Sequence, residues 1–337
     1  MKQQVEEEET TASQATLGGV VKKAAFMIIP ILVVTIAARN SVVWHIEHFF
    51  GASRLLLTSI WLHLYALFDG DEKALTVWGT WISITLVFWL GASFFLALDL
   101  TTPAFIRPFK IQEDKNFPVD RKRLMKTLMV VVCNELLFIP FLWAMYYVMK
   151  WRGCTFKDEL PTFQWFLIEF VVYLLIEEVG FYYSHRLLHH PLLYKSIHKV
   201  HHQWQAPLCI VGLYCHPVEN LVSNAMPIMA GPLIMGSHLS TFWFWMAMAA
   251  LNTLVSHCGY HLPFLFSNES HDYHHAKFNQ NFGVLGILDY LHGTDAAFRE
   301  SISYDRHFVL CGTTSAKELV PDREKQKSKC EIYDVCE

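Results

Sequence analysis

From Leu75 to Leu98 the chain carries no charged side chain. About 20 consecutive apolar residues suffice to cross the hydrocarbon of a bilayer as a helix. The run therefore predicts a transmembrane helix, closed by Asp99 and Pro103. A second span is expected over 127–149, closed by Lys150 and Arg152. Residues 24–38, between Lys22-Lys23 and Arg39, reach membrane length only with their flanks. Composition agrees: 53% of residues are hydrophobic, 17% are charged and mean hydropathy is +0.25, whereas soluble chains average about 25% charge. The expected class is an all-α, polytopic integral membrane protein. A net charge of −4 without a basic stripe excludes a nucleic-acid binder.

Residues 1–19 form an acidic disordered tail with no apolar leader, so no cleaved signal peptide is expected. Residues 42–68, interrupted by His45, Glu47, His48 and Arg54, fit an interfacial helix. The basic loop 104–126 is expected on the cytosolic side. Pro161 suits the first turn of a helix running through Tyr183 to His190, where Pro191 stops it. Glu169, Glu177 and Glu178 on that helix are costly in hydrocarbon and must face protein or headgroups. Residues 208–256, broken by Pro217, Pro227, Gly231, Pro232 and Gly236, read as a kinked or re-entrant hairpin. Its Trp and Phe residues near 241–245 suit an interfacial anchor. A flat lipid has a lateral path between the 163–190 helix and this hairpin. The organisation is thus a tail over 1–19, a membrane region over 20–160, a histidine-bearing domain over 161–311 and a charged tail over 312–337.

The histidines are unevenly distributed. Residues 1–184 contain three, whereas 185–275 contain thirteen. Three boxes stand out: His185-Arg-Leu-Leu-His189-His190, His198-Lys-Val-His201-His202 and His271-Asp-Tyr-His274-His275. On a helix, residues three and four apart share a face. The adjacent trailing pair of each HxxHH box diverges by about 100°. One ring of the pair can serve one metal while its neighbour reaches a second, so facing boxes make a two-metal cage. Neutral imidazole suits Fe, Zn, Cu and Ni. His257 joins as a ligand where the apolar hairpin ends. His216 fits either a ligand or a residue supporting one. His261 is a further candidate, weakened by Gly259. His190 caps its helix, and His238, His292 and His307 read as surface or packing residues.

HExxH is absent, and the eight cysteines are scattered without a CxxC pair. A zinc-protease site, a thiolate zinc site and a disulfide framework are therefore not expected, and a reducing compartment fits. Histidine-rich redox metals beside a membrane suit O₂ activation on a lipid, with iron the first choice. Glu178 lies two turns before His185 and either orients a ligand ring or makes a helix–helix contact; Asp272 is the other candidate for supporting a ring. Arg186 and Lys199 inside the boxes face headgroups, a redox partner or solvent. A non-catalytic membrane protein holding structural zinc or haem is the alternative from another class.

The boxes HRLLHH, HKVHH and HDYHH, in this order, resemble the fatty acid hydroxylase superfamily, which includes sterol C4-methyl oxidases, sterol C5-desaturases and fatty acid 2-hydroxylases. Glu177-Glu178 before Tyr182-Tyr183-Ser184-His185, Tyr214-Cys-His216-Pro-Val-Glu219 and Leu288-Asp289 through Gly293-Thr294-Asp295 support the likeness. It covers roughly residues 160–300. It implies a di-iron oxygenase of the endoplasmic reticulum with a cytosolic active site. The ligands it implies are His185, His189, His198, His201, His202, His257, His271, His274 and His275. It also implies two irons per chain, O₂ as co-substrate, and electrons from NAD(P)H through cytochrome b5 and its reductase. The expected substrate is a sterol C4-methyl group, with fatty-acyl or sphingolipid hydroxylation as the alternative. Ser270, His261 and His292 depart from the C4-methyl oxidase pattern, at positions where a histidine, an acidic residue and an aromatic are common.

Overall fold

The computed structural model describes residues 53–322 apart from 117 and 158, and before them 28–29, 31–36, 39, 44, 48–49 and 51. The tail over 1–19, parts of the 24–38 span and the end of the C-terminal tail lie outside the described residues. The chain divides into two compact units, 1–60 and 61–337. The second unit holds both the early membrane helices and all three boxes.

The described residues of this second unit are helical, apart from loops and one isolated bridge between Lys110 and Tyr260. Helix α1, Glu72–Thr101, begins at Asp71, whose carboxylate accepts from the Lys73 and Ala74 N–H groups. The expected charge-free run thus lies within a longer helix. Asp120 caps α2, Arg121–Arg152, which ends at Gly153 in the left-handed conformation. Thr162 caps α3, Phe163–Leu188, so Pro161 lies just before the cap rather than in the first turn. Helix α4, Met226–Met235, and α5, Leu239–His257, form an apolar hairpin through Gly236, whose φ is +67°. His238 caps α5 by accepting from the Ser240 N–H. Helices α1, α2 and α5 are long and apolar enough to cross a membrane. Leu86, Leu90, Phe94, Met129, Leu136 and Trp143 point outward and exposed, the large apolar surface such helices present to lipid.

Three expectations about the hairpin change. Residues 208–215 are not part of it: Cys209–Leu213 is a buried 3-10 turn packed among α1, α2 and α5. Protein core and bilayer select the same apolar composition, so sequence alone does not separate them. Phe242 and Trp245 are buried, and the Trp245 indole donates to the Ile228 carbonyl, so these two pack inward, whereas Phe244 stays exposed. The lateral path between α3 and the hairpin is closed. A Cβ on Gly231 would sit 2.8 Å from Tyr173 Cα, and one on Gly180 3.0 Å from Pro227 Cβ. Glycines here let the two backbones approach closely, the packing that replaces hydrophobic drive between membrane helices.

Glu169, Glu177 and Glu178 are all buried, facing protein as their cost in hydrocarbon requires. The basic segment folds over the box-bearing end while most of its cations, Arg107, Lys115, Arg121, Lys122 and Lys126 among them, stay exposed. Lys110 is buried, 3.5 Å from Asp99, whose carboxylate also accepts from the Tyr260 hydroxyl at 2.9 Å. The Gln112 and Asn116 amides donate to the Gln205 and Ala206 carbonyls.

Candidate metal centre

The boxes take different local forms. His185 lies in the last turn of α3 and His189 caps its C-terminus. Pro191 cannot continue the helix, and His190 caps the following turn, Pro191–Tyr194, rather than the end of α3. HKVHH is a 3-10 turn, His198–Gln203, not an α-helix. HDYHH lies on α6, Glu269–Lys277, and His257 ends α5.

These elements bring nine imidazoles into two groups: His185, His189, His198, His202 and His274, and beside them His201, His257, His271 and His275. Within each group the nitrogens lie within 4.8 Å of one another. The adjacent pairs split as their divergence requires. His202 and His274 turn to the first group, His201 and His275 to the second.

The far nitrogens are tied. His185 Nδ1–H donates to the Phe282 carbonyl at 2.8 Å, His198 Nδ1–H to Glu219 Oε1 at 2.8 Å, and His274 Nδ1–H to the Gln280 carbonyl at 2.6 Å. A neutral imidazole that donates from Nδ1 has a bare lone pair on Nε2. The His185 and His198 Nε2 atoms nevertheless lie 3.2 Å apart. Facing lone pairs repel; a cation among them removes the conflict. In the second group, His257 Nδ1–H donates to the Thr253 carbonyl and His275 Nδ1–H to that of Trp204. The buried His275 Nε2 has no hydrogen-bond partner among the described residues. Burial, reinforced by neighbouring rings, pushes His189 down to about 2 and pulls His198 and His202 below the imidazole range. His201, His271, His274 and His275 fall for the same reasons. All stay neutral at pH 7, the form that binds metal. The donors therefore fit a nitrogen-preferring transition metal such as iron.

Other candidates do not join. His216 caps the turn at Pro217, accepting from the Val218 N–H. His261 lies between the Phe308 carbonyl and Glu269, 2.8 and 3.5 Å away. His292 stacks on Tyr182 and His307 meets Ser267. Glu178 touches no ligand ring: its carboxylate accepts from the Val284, Leu285 and Leu288 N–H groups. It holds the loop whose Phe282 carbonyl accepts from His185 Nδ1–H. Asp272 accepts from Gln112, and burial raises its carboxyl to about 7. Two supporting roles had no sequence reading. Glu219 braces His198, and Asp289 accepts from the Phe282 and Gly283 N–H groups and the Thr294 hydroxyl. Their presence in HPVE and LDYLHGTD was the available signal.

An apolar helical bundle carrying paired histidine clusters at one end defines a class of membrane proteins built to hold metal beside lipid. Within that class the chain belongs to the fatty acid hydroxylase family, whose model matches residues 170–294. It is 47% identical to fatty acid hydroxylase domain-containing protein 2 of Homo sapiens, over 90% of this chain and 91% of that one. It is 30% identical to methylsterol monooxygenase 2-1 of Arabidopsis thaliana, over 73% of this chain and 96% of that one. It is 33% identical to fatty acid hydroxylase ahd1 of Mycosarcoma maydis, over 71% of this chain and 61% of that one. No solved structure matches.

Proposed function

We propose that the chain is a membrane oxygenase that oxidises a lipid C–H bond, most specifically a C4-methyl group of a sterol. The observation that carries the oxygenase reading is the pair of imidazole clusters whose bare nitrogens converge. His185, His189, His198, His202 and His274 hold one iron; His201, His257, His271 and His275 hold the other. Bound iron supplies the redox chemistry that splits O₂ and oxidises an unactivated C–H bond. One oxygen atom enters the lipid and the other leaves as water, which requires two external electrons and two protons. In this reading the electrons come from NAD(P)H through cytochrome b5 and its reductase, and the chain sits in the endoplasmic reticulum with the clusters toward the cytosol; the family likeness supports both.

The chain's own residues orient and shield. Phe282, Glu219 and Gln280 fix which nitrogen of His185, His198 and His274 faces inward. Burial keeps the rings neutral and water away. The hydroxylase segment, 161–311, packs against α1 and α2 within one unit. The sterol reading is supported by the near-complete coverage of the plant methylsterol monooxygenase. The likeness to ahd1 supports fatty-acyl hydroxylation as the second reading.

The test supplies purified protein, cytochrome b5, its reductase and NADH with 4-methylsterols, 4,4-dimethylsterols or ceramides. Oxidation of a 4-methylated sterol is the expected result. Oxidation of ceramides alone moves the substrate to the second reading, and two bound zincs without turnover return the chain to a structural metal protein.

A further inference from the structure

A groove of about 720 Å³ runs along the outer face of α2 and is closed on one side by Pro217. That volume lies in the range of small-molecule sites. Arg121, Lys122 and Lys126 line its upper end; Met125 and Met129 line its length. The stripe continues to Cys133, and at 1.5 Å per residue Arg121 to Cys133 rises about 18 Å. One leaflet contributes roughly half of the ~30 Å hydrocarbon core. The groove is therefore about one leaflet deep, apolar below and cationic above.

From this geometry we infer that the groove seats a diacyl phospholipid with an anionic headgroup. The three cations make no ion pair among the described residues. The nearby acid, Asp120, is engaged with the Arg123 N–H as the helix cap. Arg123 is turned aside, its guanidinium 3.7 Å from the Trp204 ring centroid and donating to the Gln203 carbonyl. Three unneutralised charges thus stand where a phosphate of the same leaflet lies, each worth about tenfold or less in affinity near the surface. Met125, Met129 and Cys133 are exposed on a helix long and apolar enough to span, so the groove faces acyl chains rather than a soluble protein. A sterol lacks the anion that the rim selects.

The lipid also has a structural task. At the deep end, buried Asn134 donates to the Leu213 and Cys215 carbonyls. Pro217 leads directly to Glu219, which accepts the hydrogen bond from His198 Nδ1–H. A lipid filling the groove presses on the turn that seats this carboxylate.

Native mass spectrometry of the full chain in detergent, titrated with phosphatidylserine or phosphatidylcholine of identical acyl chains, tests the inference. The unaltered protein should hold phosphatidylserine at least about tenfold more tightly. The triple variant Arg121→Gln, Lys122→Gln, Lys126→Gln should lose that preference, a drop of up to about a hundredfold. Met129→Trp, which narrows the groove midway along its length and keeps every charge, should weaken phosphatidylserine severalfold. Hydrogen exchange over residues 213–219 should slow with phosphatidylserine in the unaltered chain and not in Met129→Trp. Equal affinity for the two lipids, or a triple variant that retains the preference, overturns the site. Unchanged binding by Met129→Trp also overturns it, because the cations then act as a diffuse surface field. None of these readouts requires bound iron or turnover, so they stand apart from the oxygenase assay.

Discussion

The two imidazole clusters sit side by side but are braced differently. The second takes acceptors from elements that already carry its rings: the Thr253 carbonyl, one turn back on α5, and the Trp204 carbonyl, just past the second box. The first draws its acceptors from elsewhere, namely Phe282 and Gln280 in the loop after α6 and Glu219 in the Pro217 turn. The second cluster is thus oriented as its ring-bearing elements pack on one another, His275 reaching Trp204 across 71 residues of chain. The first also needs segments that carry no clustered ring, the Pro217 turn and the loop after α6, although Gln280 is only 6 residues from His274.

Adjacent residues give the strongest test of this division. His274→Ala and His275→Ala should each lower bound iron by about half and reduce lipid oxidation to background. The double variant should be no less active than either single one, because residues acting as a unit are non-additive. Metal analysis and product assays on correctly inserted protein measure this. Complete iron loss from a single variant would merge the clusters into one site.

Glu178→Ala should strand three backbone N–H groups in the loop that serves the first cluster. At about 1–3 kcal/mol for each unsatisfied buried donor, the cost is several kcal/mol. Thermal melts, with hydrogen exchange at Val284, Leu285 and Leu288, report it. Glu219→Ala is narrower. Loss of such a bracing carboxylate weakens metal binding about 10–100-fold, and the loss should fall on the first cluster alone. Equal weakening of both sites in a metal titration would erase the contrast.

Acid should act on both clusters together. The rings are held below the ordinary imidazole pKa of about 6.5, with His189 at about 2. The unfolded chain therefore binds more protons below pH 6.5. Stability is complete above that pH and falls progressively between 6.5 and 2. Metal-free protein should melt at a lower temperature at pH 5 than at pH 7.5. The smallest effect belongs to His216→Ala, which removes a helix cap worth about 1 kcal/mol and should leave the iron content unchanged.

The sequence was most readable where chemistry repeats. Tandem histidines at the end of HxxHH must diverge, so the assignment of His201 and His202 to different groups followed from helix geometry, even though that box is a 3-10 turn. Charge-free runs marked α1 and α2 for a simple reason: uncompensated charge is costly in lipid. What composition could not separate was burial in protein from burial in bilayer, hence the misplacement of 208–215. Nor could it reveal the partners of Glu178, which are backbone N–H groups from more than a hundred residues away and leave no mark in side-chain pattern.

The Phe282 and Gln280 carbonyls bear on how the protein is made. All nine clustered imidazoles have been synthesised by residue 275, yet the acceptors that set two of their rings follow at 280 and 282, and Asp289 and Thr294 fix that loop later still. As the chain emerges from the ribosome, it passes through a stage with a full complement of donor rings and an unset first cluster. The donor geometry of the first cluster is thereby completed only once about twenty residues beyond the last histidine box have been translated.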